Sequence, residues 1–295
     1  MNARPQRNRI ALGTVQFGMP YGISNTSGKV PFSEVERMLD FASEKGVNTL
    51  DTAIGYGDSE KVLGRAGVGT FQIVSKLPPI PEREADVKSW VKRQIDQSLS
   101  NLNLDHIYAL LLHKPDDLLG EHGKDIALAL TEIRSEGIIR KLGVSIYSPD
   151  NFNELSEKID IDLVQCPFNI MDRRMLLNNW DLNLKKLNIE IHTRSVFLQG
   201  LLLMPKSAIP RKFDRWAPIL EKWHNWLEEY GQLPAQTCLA LALSTSSIDR
   251  VLIGATNLNQ LEENLKFAEL SSSISYPDLA CTDEDLINPS RWETI

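Results

Sequence analysis

Eight short apolar runs recur along the chain, at residues 10–13, 49–52, 72–76, 109–113, 141–145, 163–166, 190–195 and 251–254. Amphipathic stretches separate most of them. The first is the best marked: Pro31 precedes Ser33, and Glu36 follows three residues later, which is the pattern of a capping box. Val35, Met38, Leu39 and Ala42 then fall on one face, and Gly46 supplies a stop. Similar helical spacing runs through 87–102, 125–135, 151–158, 182–187 and 234–245. Strand and helix patterns that alternate in this way predict a parallel sheet. Eight such units predict a closed (β/α)8 barrel, one domain over residues 1–295. The competing arrangement is an open, doubly wound sheet, but no GxGxxG pattern follows the first run. The longest irregular stretch, 202–218, holds Pro205, Pro210 and Pro218 and reads as a loop folded over a cofactor. A tail from about Ser271 is rich in Ser, Pro and Asp, with order expected where Trp292 finds a pocket.

Three consecutive runs end in polar side chains. Leu50 closes one, and Asp51 follows at once. Gly55 and Gly57 bracket Tyr56 on a tight turn, Asp58 or Ser59 is placed to cap the next helix, and Glu60 lies near its positive end. Residues 71–75 lead to Lys76, and 108–112 lead to His113. In a parallel barrel the C-terminal strand ends collect on one face, so Asp51, Tyr56, Lys76 and His113 are brought to one mouth. Singly, Lys76 reads as a solvated strand end and Asp51 as a helix cap. As an ordered set at strand ends, the four resemble the signature of the aldo-keto reductase superfamily.

That resemblance implies NAD(P)H-dependent interconversion of a carbonyl and an alcohol. Tyr56 would be the general acid, tuned by Lys76 and Asp51, with the Lys76 charge expected to lower its pKa. His113 would polarise the substrate carbonyl. It extends to the cofactor half. Gly13, Thr14 and Val15 look like the segment under the nicotinamide, and Ser145 and Gln165 like the pair holding its carboxamide. Asn169 is a second amide that needs partners in a barrel interior. Arg194, Ser195, Phe197, Leu198 and Gly200 match the segment after the seventh strand; Arg194 stands where most relatives place an aromatic, and a guanidinium can also stack. Gly254, Ala255, Thr256, Asn257, Gln260 and Asn264 resemble the final phosphate and adenine motif. Relatives that hold the 2′-phosphate most tightly carry cations where this chain has Gly254 and Gln260. NADPH is the cofactor the family implies, with NADH also possible. Met19, Tyr21, Tyr147, Phe168 and Phe197 are expected at the substrate mouth.

Composition narrows the class without changing the fold. With 42% hydrophobic and 24% charged residues a large core can form, and a net charge of −7 argues against nucleic-acid or anionic-membrane partners. No run of apolar residues is long enough to span a membrane, and no h-region follows the basic residues 1–9. Cys166, Cys238 and Cys281 are scattered, which predicts reduced thiols, a cytoplasmic setting and no metal site. Only a few residues precede the first strand, so a hairpin plugging the barrel bottom is expected to be reduced or absent, with another short segment covering that end. Two further readings stay open: a nucleotide-sensing regulatory subunit with little turnover, and an NAD-dependent sugar dehydrogenase.

Overall fold

The computed structural model describes residues 6–270 and 276–294. Eight parallel strands close into a ring in chain order. They are β1 (Ile10–Gly13), β2 (Thr49–Asp51), β3 (Gln72–Leu77), β4 (Ile107–Leu112), β5 (Ile139–Ser145), β6 (Leu163–Pro167), β7 (Glu190–Arg194) and β8 (Arg250–Gly254). Helices return the chain between strands, including Phe32–Glu44, Ser59–Ala66, Val87–Leu102, Gly123–Ser135 and Pro234–Ser244, and the helix Leu258–Leu270 follows β8. The fold is a (β/α)8 barrel.

Strand alternation explains how the core divides. One set of side chains turns outward into a large apolar layer beneath the helices, with Leu12, Leu50, Ile73, Leu110, Leu142 and Val164 all buried there. The opposite set points into the barrel, where Val74, Ala109, Leu111 and Leu163 form a small cluster of their own. At β5 the interior is tight: a Cβ on Gly143 would come 2.2 Å from the Leu163 carbonyl oxygen. Above this plug the inward positions become polar, which is how the barrel acquires a reactive face.

The first long helix starts differently from the expected capping box. Its N-cap is Pro31, with no side-chain cap, and Ser33 lies inside the first turn. Glu34 instead reaches across to accept from the Leu258 N–H at 2.6 Å. Gly46 does end the helix, with φ +81° and its N–H on the Ser43 carbonyl. The next helix also lacks a side-chain cap: Asp58 pairs with Lys29 at 3.1 Å, and Ser59 is buried against Thr14 and Thr52.

Of the stretch 202–218, Leu203 lines the cavity that the expected cofactor residues share, and the rest packs against the C-terminal tail. The stretch forms two short 3-10 turns, Lys206–Ala208 and Arg211–Trp216, followed by the helix Ala217–Tyr230. This segment binds the C-terminal tail: the Trp216 indole donates to Asp283 at 2.8 Å, and Arg215 pairs with Asp283 and Asp285. Trp292 does find a pocket, packing edge-on against Phe213 with centroids 4.9 Å apart and donating to the Leu286 carbonyl. The first tail residues, 271–275, lie outside the described residues, as do 1–5. At the barrel bottom the turn Gln6–Arg9 leads into β1, and the Arg9 guanidinium donates to the carbonyls of Leu243, Thr245 and Ile248. One side chain thereby satisfies carbonyls left over at the end of a helix and in the loop that follows it.

Candidate active site

The C-terminal strand ends open onto one cavity of about 580 Å³, within the size range of small-molecule sites. Asp51 lines it, and Lys76 lies buried behind Asp51. Lys76 Nζ donates to Asp51 Oδ1 at 2.6 Å and to the Thr52 carbonyl at 2.9 Å, and both side chains are buried. Gln165 Nε2 donates to the other oxygen, Oδ2, at 2.6 Å. Burial pulls the Lys76 ammonium below its ordinary value, against the opposing pull of Asp51.

Tyr56 is held above this pair. Lys76 Nζ stands 5.0 Å from the centre of the Tyr56 ring, and the ring meets His113 edge-on at 5.8 Å. Burial, and then the charge of Asp51, raise the Tyr56 phenol well above its ordinary value. The expected lowering by Lys76 is absent because Asp51 answers that charge and desolvation dominates. Burial and then the charges of Lys76 and Arg194 lower His113 to about 4.

Backbone packing places Tyr56. A Cβ on Gly18 would lie 1.8 Å from the Tyr56 carbonyl oxygen, so the turn rests directly on the segment after β1. Gly57 takes φ +57°, a left-handed conformation that glycine adopts without steric cost. Beneath the turn, Ser59 Oγ donates to the Thr14 carbonyl at 2.9 Å and accepts from Thr52 Oγ1 at 3.0 Å. Glu60 is buried and accepts from Ser75 and Ser98 at 2.7 and 2.6 Å, pinning this helix to β3 and its neighbour.

Most of the expected cofactor residues line the same cavity. Gly13, Thr14 and Val15 do so from β1; Ser145 and Gln165 do so as register partners on β5 and β6. Arg194 ends β7 and Ser195, Phe197 and Gly200 follow it, while Gly254 ends β8 and Ala255, Thr256, Asn257, Gln260 and Asn264 follow it. Gln165 Oε1 is buried with no partner in the protein, a carbonyl suited to an amide donor such as a nicotinamide carboxamide. A Cβ on Gly254 would meet Gln16 Nε2 at 2.8 Å, so this strand end passes close to its neighbour without a side chain. These residues fit an elongated dinucleotide.

Three placements differ from expectation. Phe168 is fully buried in the outer core, because inward alternation on β6 falls on Gln165 and Pro167. Leu198 is likewise buried in the outer core and turned from the cavity by left-handed backbone at Leu198 and Gln199. Met19 is exposed beside Gly57 and does not line the cavity. Asn169, buried as expected, finds the partners an interior amide needs, accepting from Met171 and Asp172 and donating to the Ser195 carbonyl. Tyr21, Tyr147 and Phe197 do line it.

The wall that pattern reasoning overlooked is the loop 21–28. Asn25 accepts from the Ser27 and Gly28 N–H groups and donates to the Tyr21 and Gly28 carbonyls. The run Asn25-Thr26-Ser27-Gly28 was the readable signal for such a turn. Opposite it, Gln199 donates to Tyr21 Oη at 2.9 Å and accepts from the Ile23 N–H at 3.2 Å. Gly200 sits where a Cβ would be 2.0 Å from Ser24 Oγ.

Among the described residues no group of three or more His, Cys, Asp or Glu side chains is arranged to hold a metal, and no helix is long and apolar enough to cross a membrane.

Comparison with known proteins gives the family. The sequence profile of the aldo/keto reductase family matches residues 9–275. The 6-dehydroglucose reductase of Novosphingobium aromaticivorans is 30% identical over 165 residues, 50% of this chain and 52% of that one, so the match spans about half of each. The NADH-specific methylglyoxal reductase of Escherichia coli is 28% identical over 270 residues, 79% of this chain and 81% of that one. An aldo-keto reductase structure from Bacillus halodurans superposes with a TM-score of 0.72 at 20% identity, covering 93% of this chain and 94% of that one. The chain belongs to the aldo/keto reductase family of nicotinamide-dependent oxidoreductases, which act on small carbonyl compounds.

Proposed function

We propose that the protein interconverts an aldehyde or ketone with its alcohol, with NADPH as the preferred cofactor and Tyr56 as the general acid. The observation that carries this reading is the convergence of Asp51, Tyr56 and His113, with Lys76 buried behind Asp51, on one cavity whose far end is the glycine-led turn 254–257. When bound, the nicotinamide supplies the hydride that no side chain can provide.

The protein's own groups do the rest. Tyr56, protonated at neutral pH, gives its proton to the carbonyl oxygen as negative charge develops there. Lys76, close to the ring, stabilises the tyrosinate left behind, and Asp51 with Gln165 holds that ammonium in place. Neutral His113 can donate an N–H to the same oxygen without competing for the proton. In the oxidative direction Tyr56 takes the proton back. The three cysteines are free, in keeping with a reducing compartment such as the cytoplasm.

Fluorescence titration with NADPH and NADH, followed by steady-state oxidation of each with a panel of aldehydes and aldoses, tests the reading. Binding without turnover on any carbonyl would replace it with a sensing role. A second reading, an NAD-dependent sugar dehydrogenase, draws support from the 2′-phosphate end: Gly254 and Gln260 bring no cation, and Glu263 lines the same rim. Preference for NAD⁺ with an aldose would favour it.

A further inference from the structure

The charges at the mouth do not balance. Lys76 and Asp51 answer one another at 2.6 Å, and His113, lowered to about 4, is neutral at physiological pH. Arg194 remains. Among the described residues its one hydrogen bond runs from Nη2 to the Ile146 carbonyl at 3.2 Å, and its guanidinium carbon stacks 4.1 Å from the centre of the Tyr147 ring. Among the described residues no carboxylate pairs with it. Its charge nevertheless acts on Tyr21, Tyr56, Lys76 and His113, in each case behind burial.

The local chain explains why the group is presented there. Arg194 ends β7 on the inward face, two residues after His192, and Ser195 then turns away with φ +59°. Stacking on Tyr147 fixes the plane of the guanidinium, leaving most of its N–H fork unpaired at the cavity. Tyr21 stands on the same wall. Its hydroxyl accepts from Gln199 Nε2, so its own proton is free to donate.

A half-buried cation without a counter-ion is costly, and a guanidinium fork matches a carboxylate in shape and charge. We propose that the carbonyl substrate carries a carboxylate bound by Arg194, making the site selective for an oxo acid such as a uronic acid over the neutral sugar or aldehyde. The inference rests on the oxidoreductase reading above. A carboxylate fits better than a phosphate because Arg194 is one planar cation whose fork matches a carboxylate, whereas a phosphate dianion calls for a second cation.

Matched pairs test this: 4-oxobutanoate against butanal, and glucuronate against glucose, each with NADPH. The acid should be favoured in kcat/KM by roughly 10- to 100-fold, the scale of a charge-assisted pair, chiefly through KM. The ratio should shrink as salt rises. Arg194→Met should bring it close to one, and Arg194→Lys, which keeps charge without the fork, should retain part of it. The ratio is the readout because Arg194 also borders the cofactor region; NADPH affinity is measured alongside. A parent ratio near one overturns the proposal. So does an Arg194→Met variant that loses NADPH affinity and slows both substrates equally, which would assign the guanidinium to the cofactor. Turnover of butanal with no acid preference would leave the oxidoreductase reading standing while this one fails. Calorimetric binding of 4-hydroxybutanoate and 1-butanol to the NADPH-saturated protein decides the point without turnover: equal affinities overturn it.

Discussion

Gln165 and Asp51 are joined by a 2.6 Å hydrogen bond, so the carboxylate that holds Lys76 on one oxygen is held by β6 on the other. Removing the ammonium alone strands a buried negative charge with one neutral partner. Lys76→Met should therefore cost about 3–5 kcal/mol of stability, the scale for breaking a buried pair. Adding Asp51→Asn should recover a large part of the loss. Urea unfolding of both variants is the measurement, and a single variant within about 1 kcal/mol of the parent would refute the coupling.

Tyr56→Phe keeps the ring against His113 and over Lys76 and removes only the proton donor. A fall in kcat of at least ~10² is expected, with NADPH affinity close to the parent's. Turnover near the parent rate would take Tyr56 out of the mechanism.

The strand ends that carry this site were legible because each apolar run stops at a polar residue, and a closed parallel barrel sends all such ends to one face. What escaped was settled by distant contacts. The expected cap at Ser33 lost to Pro31, and Glu34 was drawn to Leu258, 224 positions away. The stretch 202–218 looked free because its partners Asp283 and Trp292 lie far along the chain. Phe168 read as a mouth residue, yet alternation on β6 gave the inward place to Gln165.

His113 makes folding sensitive to acid. Its folded-state value of about 4 lies below the ordinary 6.5, through burial first and then the charges of Lys76 and Arg194. The unfolded chain takes up a proton that the folded site resists. The neutral imidazole thus contributes stability that is complete above 6.5 and lost as pH falls through about 4. His192 and His224, also lowered by burial, act in the same sense. Unfolding midpoints measured from pH 7 down to pH 4 should fall less steeply for His113→Gln. An identical slope would remove His113 from the effect.

Gly18→Ala should disturb the tyrosine turn from behind, since its Cβ would lie 1.8 Å from the Tyr56 carbonyl oxygen and 2.5 Å from the Ser59 nitrogen. A loss of about 1–3 kcal/mol is expected from the overpacking, together with a lower kcat. Gly55→Ala is the control, because nothing lies within 4 Å of its added carbon. Equal kcat and stability for the two variants would show that the turn does not depend on Gly18.

Gln260→Arg should tighten NADPH binding and leave NADH nearly unchanged. Gln260 Oε1 now accepts from the Thr256 N–H and hydroxyl at 2.9 and 3.0 Å, so the substitution both adds a cation and frees two donors at the rim. The gain should shrink at high salt. Dissociation constants for both cofactors at two ionic strengths are required, and equal effects on the two would place residue 260 away from the 2′-phosphate.

The clamp from Arg9 to Ile248 joins positions 239 apart in sequence, beside the seam where β1 meets β8. A ribosome delivers β1 first and β8 almost last, so until synthesis is nearly complete β1 keeps an open hydrogen-bonding edge. That edge is a template for pairing with a neighbouring chain. A circular permutant that begins at β8 and runs on into β1 would bring the two strands of this seam much closer in sequence. It should refold with fewer losses to aggregation, while the mouth at the opposite end of the strands keeps its geometry.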